Sequence, residues 1–450
     1  MYVHFIAIGG SAMHNLAISL LLKGYKITGS DDEIFDPAAA RLKKYGIFPE
    51  KIGWDANNIT SDIDAVILGM HARIDNPELL KAKELGLKIY SYPDFIYEQS
   101  KNKKRIVIGG SHGKTTITSM ILHVLNTCGI PCDYMIGAQL EGFEVMTKLS
   151  DDSSIIIIEG DEYLTSPIDR RPKFHVYQPD IGVISGIAWD HINVFPTFEN
   201  YVEQFQIFAD LIPDEGCLIY CKEDEHCVQV ATNTKTKNKI GYSIPNYSVD
   251  EQGNYSLHSD HKDYKLQIFG RHNLLNLNAA FHVCSCMGVN KADFYSAMQS
   301  FKGVNKRLEK VYEDKEKALY KDFAHAPSKL KATISALKEK YPNRYLVACV
   351  ELHTFSSLTS DFLKQYAHTM NAAEEAIVYF NPHAIALKKL PPITEQQVLN
   401  AFANPKLHVY SDSEKLKQHL TSIKWKNKNL LMMSSGNFDG MSFESLFQSV

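Results

Sequence analysis

The stretch Arg105-Ile106-Val107-Ile108-Gly109-Gly110-Ser111-His112-Gly113-Lys114-Thr115-Thr116 decides how the chain is read. Arg105–Ile108 has the β-branched character of a strand, the glycines break it, and a helical segment opens at Lys114. Strand, tight turn and helix in that order begin an α/β unit. The turn also carries chemistry. Glycine lets the backbone curl until successive N–H groups converge. The helix N-terminus adds partial positive charge, Lys114 adds a full one, and Thr115 offers a hydroxyl where a phosphate-bound magnesium ion would sit. Gly110, Ser111, His112, Gly113, Lys114, Thr115 and Thr116 are therefore the candidate ATP cradle. The general pattern places four residues between its first glycine and the Gly-Lys pair, whereas Gly109 leaves only three, so the match is partial.

Working outward, Ile155–Ile158 is a run of isoleucines too short for a helix and suited to a strand buried on both faces. Glu159-Gly160-Asp161-Glu162 follows at once, at the sheet edge where ligands bind. Magnesium takes hard oxygen ligands and shares them with phosphates, which makes Glu159 the first candidate carboxylate. The strand Ile181–Ile184 runs on into Ser185-Gly186-Ile187-Ala188-Trp189-Asp190-His191. His191 falls on the same predicted edge and joins Thr115 and Glu159 as a candidate metal residue.

Upstream, Val3–Ile8 reads as a strand that turns at Gly9-Gly10 into a helix with Met13, Leu16, Ala17 and Leu20 on its apolar face. A second strand, Lys26–Gly29, ends at Ser30-Asp31-Asp32. Gly9, Gly10 and Ser11 suit a pyrophosphate, and Asp31 stands where a ribose hydroxyl could be met. Taken alone, this is a dinucleotide fingerprint, and it supports a competing reading as a nicotinamide-dependent oxidoreductase. That reading leaves Gly-Lys-Thr-Thr unexplained. A non-catalytic P-loop switch is a third reading. Ala65–Leu68 and Lys88–Tyr90 are further short strands, and hydrophilic Gln99–Arg105 reads as a linker. Near the other end, Tyr345–Leu352, Ala376–Phe380, Leu407–Tyr410 and Leu430–Ser434 alternate with helical stretches as in a small doubly wound sheet. Three α/β domains follow, at 1–100, 101–302 and 303–450.

With 450 residues and a net charge of −4, the chain has no basic excess to suggest a nucleic acid or an anionic membrane as partner. No apolar run approaches the roughly 20 residues of a spanning helix. Cys284 and Cys286, one residue apart, fit neither a zinc knuckle nor a redox motif. A cytoplasmic protein with reduced thiols is the expectation.

In motif order the chain resembles the Mur ligase family. Its Gly-Thr-His-Gly-Lys-Thr-Thr matches Gly110–Thr116, with serine in the second place, its Glu-x-Asp-Glu box matches Glu159–Glu162, and its Asp-His pair matches Asp190-His191. Arg271-His272-Asn273-Leu274-Leu275-Asn276 looks like the adenine-side box, Gly303-Val304-Asn305-Lys306-Arg307-Leu308-Glu309 like the domain-junction arginine motif, and Asp322-Phe323-Ala324-His325 like the ATP-contacting box of the last domain. The resemblance implies a Rossmann-like UDP-binding domain, a central P-loop ATPase domain and a C-terminal Rossmann-like domain. It implies ATP and Mg²⁺, with UDP-N-acetylmuramate and an amino-acid or peptide amine as partners. The catalytic set would be Lys114, Glu159, His191, Arg307, Asp322 and His325, with Asn273, Arg307 and Asp322 also on ATP.

Within the family, Tyr163, Asp169-Arg170-Arg171, Arg307-Leu308-Glu309 and Asp322-Phe323-Ala324-His325 look more like the branch that reattaches the tripeptide L-alanyl-γ-D-glutamyl-meso-diaminopimelate than like the L-alanine-adding branch. The chain departs from the family at Ala7, Ala12, Leu164 and Ala326.

Overall fold

The first strand, β1 (Tyr2–Ile6), ends two residues before the expected Ile8. Ala7 takes a left-handed φ of 70°, a conformation that suits glycine better than alanine. The amides of Ala7 and Ile8 both turn onto the Ser30 carbonyl, at 2.9 and 3.1 Å. Helix α1 (Ser11–Leu22) follows, then β2 (Lys26–Ser30), β3 (Ala65–Leu68) and β4 (Ile89–Ser91). These strands form a parallel sheet in the order β2-β1-β3-β4. The order reverses at β1, so the crevice at its C-terminal end is where such a sheet takes a ligand. Gln99–Arg105 is not a linker throughout: a helix runs over Tyr92–Ser100, and the next strand already begins at Lys104.

That strand, β5 (Lys104–Gly109), leads into α2 (Lys114–Thr127), β6 (Asp133–Met135), β7 (Thr147–Lys148), β8 (Ile155–Glu159), β9 (Ile181–Ile184), β10 (Cys217–Cys221) and β11 (Lys239–Tyr242). The sheet order is β11-β10-β9-β5-β8-β6-β7, with β7 antiparallel at the edge. Ile106, Val107, Ile108, Ile156, Ile157 and Ile158 are wholly buried, each contributing about 1.5–3 kcal/mol. Register then sets the chemistry. Ile108 lies beside Glu159 and Gly109 beside Ile184, so the turn after β5 is flanked by two strand ends.

The structure, a computed structural model, describes residues 1–137 and 142–441. By contacts, Met1–Ile187, Glu199–Ser243 and Ala279–Phe294 form one compact unit, which holds both sheets above. The other unit comprises Ala188–Phe198, Ile244–Asn278 and Tyr295–Val450. It contains an antiparallel sheet that the sequence reading missed, β12 (Tyr247–Val249), β13 (Tyr255–Ser259) and β14 (Lys262–Leu266). Its period-2 burial, with Tyr255, Leu257 and Ser259 inward, is carried by too few apolar residues to stand out in sequence. Helix α3 (Arg271–Cys286), β15 (Glu309–Glu313), β16 (Ala318–Asp322), α4 (Pro327–Lys340), β17 (Tyr345–Leu352), β18 (Glu375–Phe380), β19 (Leu407–Tyr410) and β20 (Lys428–Met433) follow. The last sheet has the order β15-β16-β20-β17-β18-β19. Among the described residues no helix is long and apolar enough to cross a membrane.

Candidate functional site

After Gly109 the backbone doubles back beneath the end of β9. Gly110 has a φ of 132°, and a Cβ there would stand 2.1 Å from the Ser185 hydroxyl oxygen, so only glycine fits. Gly113, at φ 81°, closes the turn as the N-cap of α2. The Ser111 amide donates to the Gly186 carbonyl at 2.9 Å. The Ser185 hydroxyl donates to the carbonyls of Gly109, at 3.2 Å, and His112. The loop's shape is therefore set by the neighbouring strand, while the first amides of α2 have no partner within the helix.

Lys114 begins that helix. Its Nζ donates to the Gly110 carbonyl at 2.7 Å and pairs with buried Glu162. Burial opposes the lysine charge, yet Glu162, Asp161 and Glu159 together hold its pKa above the usual value. The cation is thus present at neutral pH and already has a counter-ion. The three acids of the box have three different partners. Glu162 takes Lys114, and Asp161 takes Lys173 at 2.5 Å. Glu159 accepts from the Thr115 hydroxyl at 2.7 Å and from the Gly137 amide at 2.8 Å. Despite burial, Lys173 keeps the Asp161 pKa below the usual carboxylate range.

The Thr115 and Glu159 oxygens fit a magnesium ion. Adjacent ligands of an octahedral ion with bonds of about 2.1 Å lie about 3 Å apart, close to the 2.7 Å seen here. Thr116, also in the expected cradle, is buried. Two contributors went unassigned in the sequence reading. Tyr201, from the helix Phe198–Asp210, places its hydroxyl 2.8 Å from Ser111 Oγ and donates to Glu162 at 3.2 Å. Nothing local in the sequence marks it. Ser185 could have been found, because it follows a strand on the same edge.

Gly9, Gly10 and Ser11 come together where α1 begins. Asp31 is beside them, but its carboxylate is engaged with backbone: it accepts from the Gly9 amide at 2.7 Å and the Asp32 amide at 3.0 Å. It is 5% exposed, and burial pushes its pKa up to about 6. Its observed role is to close the loop.

The remaining candidates lie in the second unit. Asp322 accepts from the Leu308 and Ala324 amides, both at 2.6 Å. Arg307 is carried on a turn in which Lys306 and Leu308 have φ of 57° and 46°, and its guanidinium lies 4.5 Å above the Phe323 ring. Asp322 thus holds together the two segments that present Arg307. Burial raises its pKa. His325 donates from Nδ1 to the Phe323 carbonyl at 2.8 Å, and its Nε2 is 4.0 Å from Asp190. Burial lowers its pKa to about 3, so the ring is neutral. Lys329 stands 3.9 Å from Asp190. His191 has a φ of 53° and its amide donates to Asp190 Oδ1 at 2.8 Å. Asn273 spends an amide donor on the Phe269 carbonyl at 2.9 Å.

The departures also find places. Leu164 is buried and sits opposite Pro172 in an isolated backbone bridge. Ala326 is the N-cap of α4, without a side-chain cap, and Ala12 is exposed.

The Mur ligase catalytic-domain model matches residues 2–104, and the Mur ligase middle-domain model matches residues 108–284. The UDP-N-acetylmuramate–L-alanine ligase of Clostridium kluyveri is 32% identical over 389 residues, 84% of this chain and 82% of that protein. Among solved structures, the UDP-N-acetylmuramate–alanine ligase of Thermotoga maritima has a TM-score of 0.72 at 21% identity, covering 100% of this chain and 99% of that one. A murein peptide ligase from Psychrobacter arcticus has a TM-score of 0.67 at 22% identity, covering 100% and 98%. With its phosphate loop, acidic box and sheet order in place, the chain belongs to the Mur ligase family of ATP-dependent, ADP-forming amide ligases.

Proposed function

We propose that the protein joins the tripeptide L-alanyl-γ-D-glutamyl-meso-diaminopimelate to UDP-N-acetylmuramate in the cytoplasm. The substrate carboxylate attacks the γ-phosphate of ATP and forms an acyl phosphate and ADP. The peptide amine then adds to the acyl carbon and expels phosphate. Such transfers are catalysed mostly by positioning and charge neutralisation. Lys114 and the 110–116 amides hold the phosphates. Thr115 and Glu159 would hold magnesium, which would supply positive charge against the negative charge of the phosphates, and His191 would serve a second ion. Arg307, Asp322 and His325 act from the 303–450 region, Asn273 serves adenine, and Gly9, Gly10 and Ser11 the UDP pyrophosphate.

One observation carries the choice of a peptide. The segment after Glu162 folds into a pinned turn, with the Thr165 amide on the Arg171 carbonyl at 2.9 Å. Arg171 is engaged by Asp169 at 2.6 Å and Asp94 at 3.7 Å. Arg170 is exposed, and no hydrogen bond or ion pair engages its guanidinium among the described residues. A tripeptide offers extra carboxylates to such a cation, whereas alanine offers one carboxylate and a methyl.

The test is phosphate release with ATP and UDP-N-acetylmuramate, comparing the two amines. The tripeptide should be preferred in kcat/KM by up to ~10⁴-fold, because a site built for its polar groups is left unpaired by alanine. Equal or better use of L-alanine would move the protein to the alanine-adding reading, which the identity to L-alanine ligases favours.

A further inference from the structure

His14 and Asn15 on α1 take no part in the roles above, yet each is only 3% exposed. His14 Nδ1 lies 2.9 Å from the Gly10 carbonyl and must donate to it, since a carbonyl only accepts. Burial lowers the His14 pKa, so the neutral ring offers Nε2 as an acceptor to Asn15 Nδ2 at 3.2 Å. Asn15 Nδ2 also donates to the Ser11 carbonyl at 2.8 Å. On its other side, Asn15 Oδ1 accepts from Arg41 Nη1 at 3.0 Å and from the Met146 amide at 2.9 Å. Both of those groups can only donate, which settles the orientation of the side-chain amide.

From Met146 the bonds continue toward the phosphate loop. The Met146 carbonyl accepts from the Ile136 amide at 3.0 Å, and Met135 pairs with Thr147 across β6 and β7. The next amide, Gly137, donates to Glu159 Oε2 at 2.8 Å, and the other oxygen of Glu159 is bonded to Thr115 at 2.7 Å. A second tie runs beside the first, from the Leu149 amide to Ser19 Oγ at 3.2 Å. All these residues belong to one compact unit.

We propose that Asn15 is a positioning residue that couples the Gly9–Ser11 loop to the Thr115–Glu159 pair, so that UDP-sugar on one and metal–nucleotide on the other strengthen each other's binding. The proposal rests on the functional reading above. Its physical basis is that Asn15 is bonded at once to the carbonyl of the first loop and to the strand pair that presents Gly137 to Glu159. In a close-packed interior, a shift at one end is passed on rather than absorbed. A chain of contacts becomes a coupling only when a coupling is measured.

The experiment titrates the full chain with Mg·ADP by calorimetry, with and without saturating UDP-N-acetylmuramate. In the wild type the sugar nucleotide should tighten Mg·ADP by roughly fivefold or more. Asn15→Ala should bring that factor to about one while each ligand still binds. Asn15→Asp keeps the acceptor for Met146 and Arg41 but loses the donor to the Ser11 carbonyl, so it too should bring the factor close to one. A purely structural asparagine would lower the melting temperature and leave the factor unchanged, which would overturn the proposal. If Asn15→Ala does not fold, Arg41→Met, which removes one donor to Oδ1, must reduce the factor for the proposal to stand. Binding of both ligands without coupling in the wild type sinks the relay alone. No binding of UDP-N-acetylmuramate sinks the functional reading and the relay with it.

Discussion

Two loops in this chain start from the same plan and finish differently. Both leave a parallel strand next to a reversal of strand order, turn through paired glycines and open a helix. At residues 7–11 the loop is closed by an acid, since Asp31 binds the Gly9 amide, and the first helical residue is Ser11. At residues 109–114 the loop is closed by the strand beside it through Ser185, and the first helical residue is Lys114, paired with Glu162. A loop with a buried acid and no cation suits phosphates that are only held. A loop with a lysine, a hydroxyl and a ring of carboxylates suits a phosphoryl group that is transferred, because the charge it neutralises grows during the reaction.

The largest expected effect tests that contrast. Lys114→Ala should lower ATP-dependent phosphate release by roughly 10²–10³-fold. It also strips buried Glu162 of its counter-ion, which costs stability. Adding Glu162→Gln should restore the melting temperature without restoring turnover. Near wild-type turnover in a folded Lys114→Ala protein would end the distinction between the loops.

Glu159→Gln comes next. It keeps the shape and removes one negative charge, so the magnesium concentration for half-maximal rate should rise by about tenfold or more, as losses around metal sites do. An unchanged magnesium titration would place the metal elsewhere and leave Thr115 paired for structure only.

The smallest effect on turnover belongs to Asp31, where the difference shows in stability. Its folded pKa, about 6, lies above the ordinary 3.8, so the folded chain keeps a proton that the unfolded chain releases. The contribution is complete below the ordinary value and is lost as pH rises through about 6, by no more than about 3 kcal/mol. Asp31→Asn should lack that decline between pH 4 and 6 in urea unfolding. A wild-type profile that is flat there, or parallel to the variant's, would contradict the placement of the acid.

Much of this was legible in the sequence. The isoleucine run, the Gly-Lys-Thr-Thr turn and the acid box gave strand, loop and metal candidate, since each rests on a local period or a local conformational need. β9, β17 and β19 match their expected bounds residue for residue. The misreadings have physical causes. Val3–Ile8 is apolar apart from His4, and the left-handed Ala7 ends the strand early. The short strands of residues 247–266 are marked by alternation too sparse to detect. The acid at residue 31, expected at a ribose contact, also bonds the Gly9 amide, a pairing that the spacing of the motif did not reveal.

By itself, then, the amino-acid order determined which segments are strands and helices around the phosphate loop, and which residue types stand at the sheet edges. Glycine torsions, apolar periods and the reach of one lysine are properties of a few consecutive residues. Only the tertiary structure decided which acid meets which cation, that Tyr201 joins Ser111 to Glu162, and that Asn15 reaches Met146 across 131 positions of chain. Those pairings depend on strand order and register, which bring distant side chains to hydrogen-bonding distance and leave no trace in any short stretch of sequence.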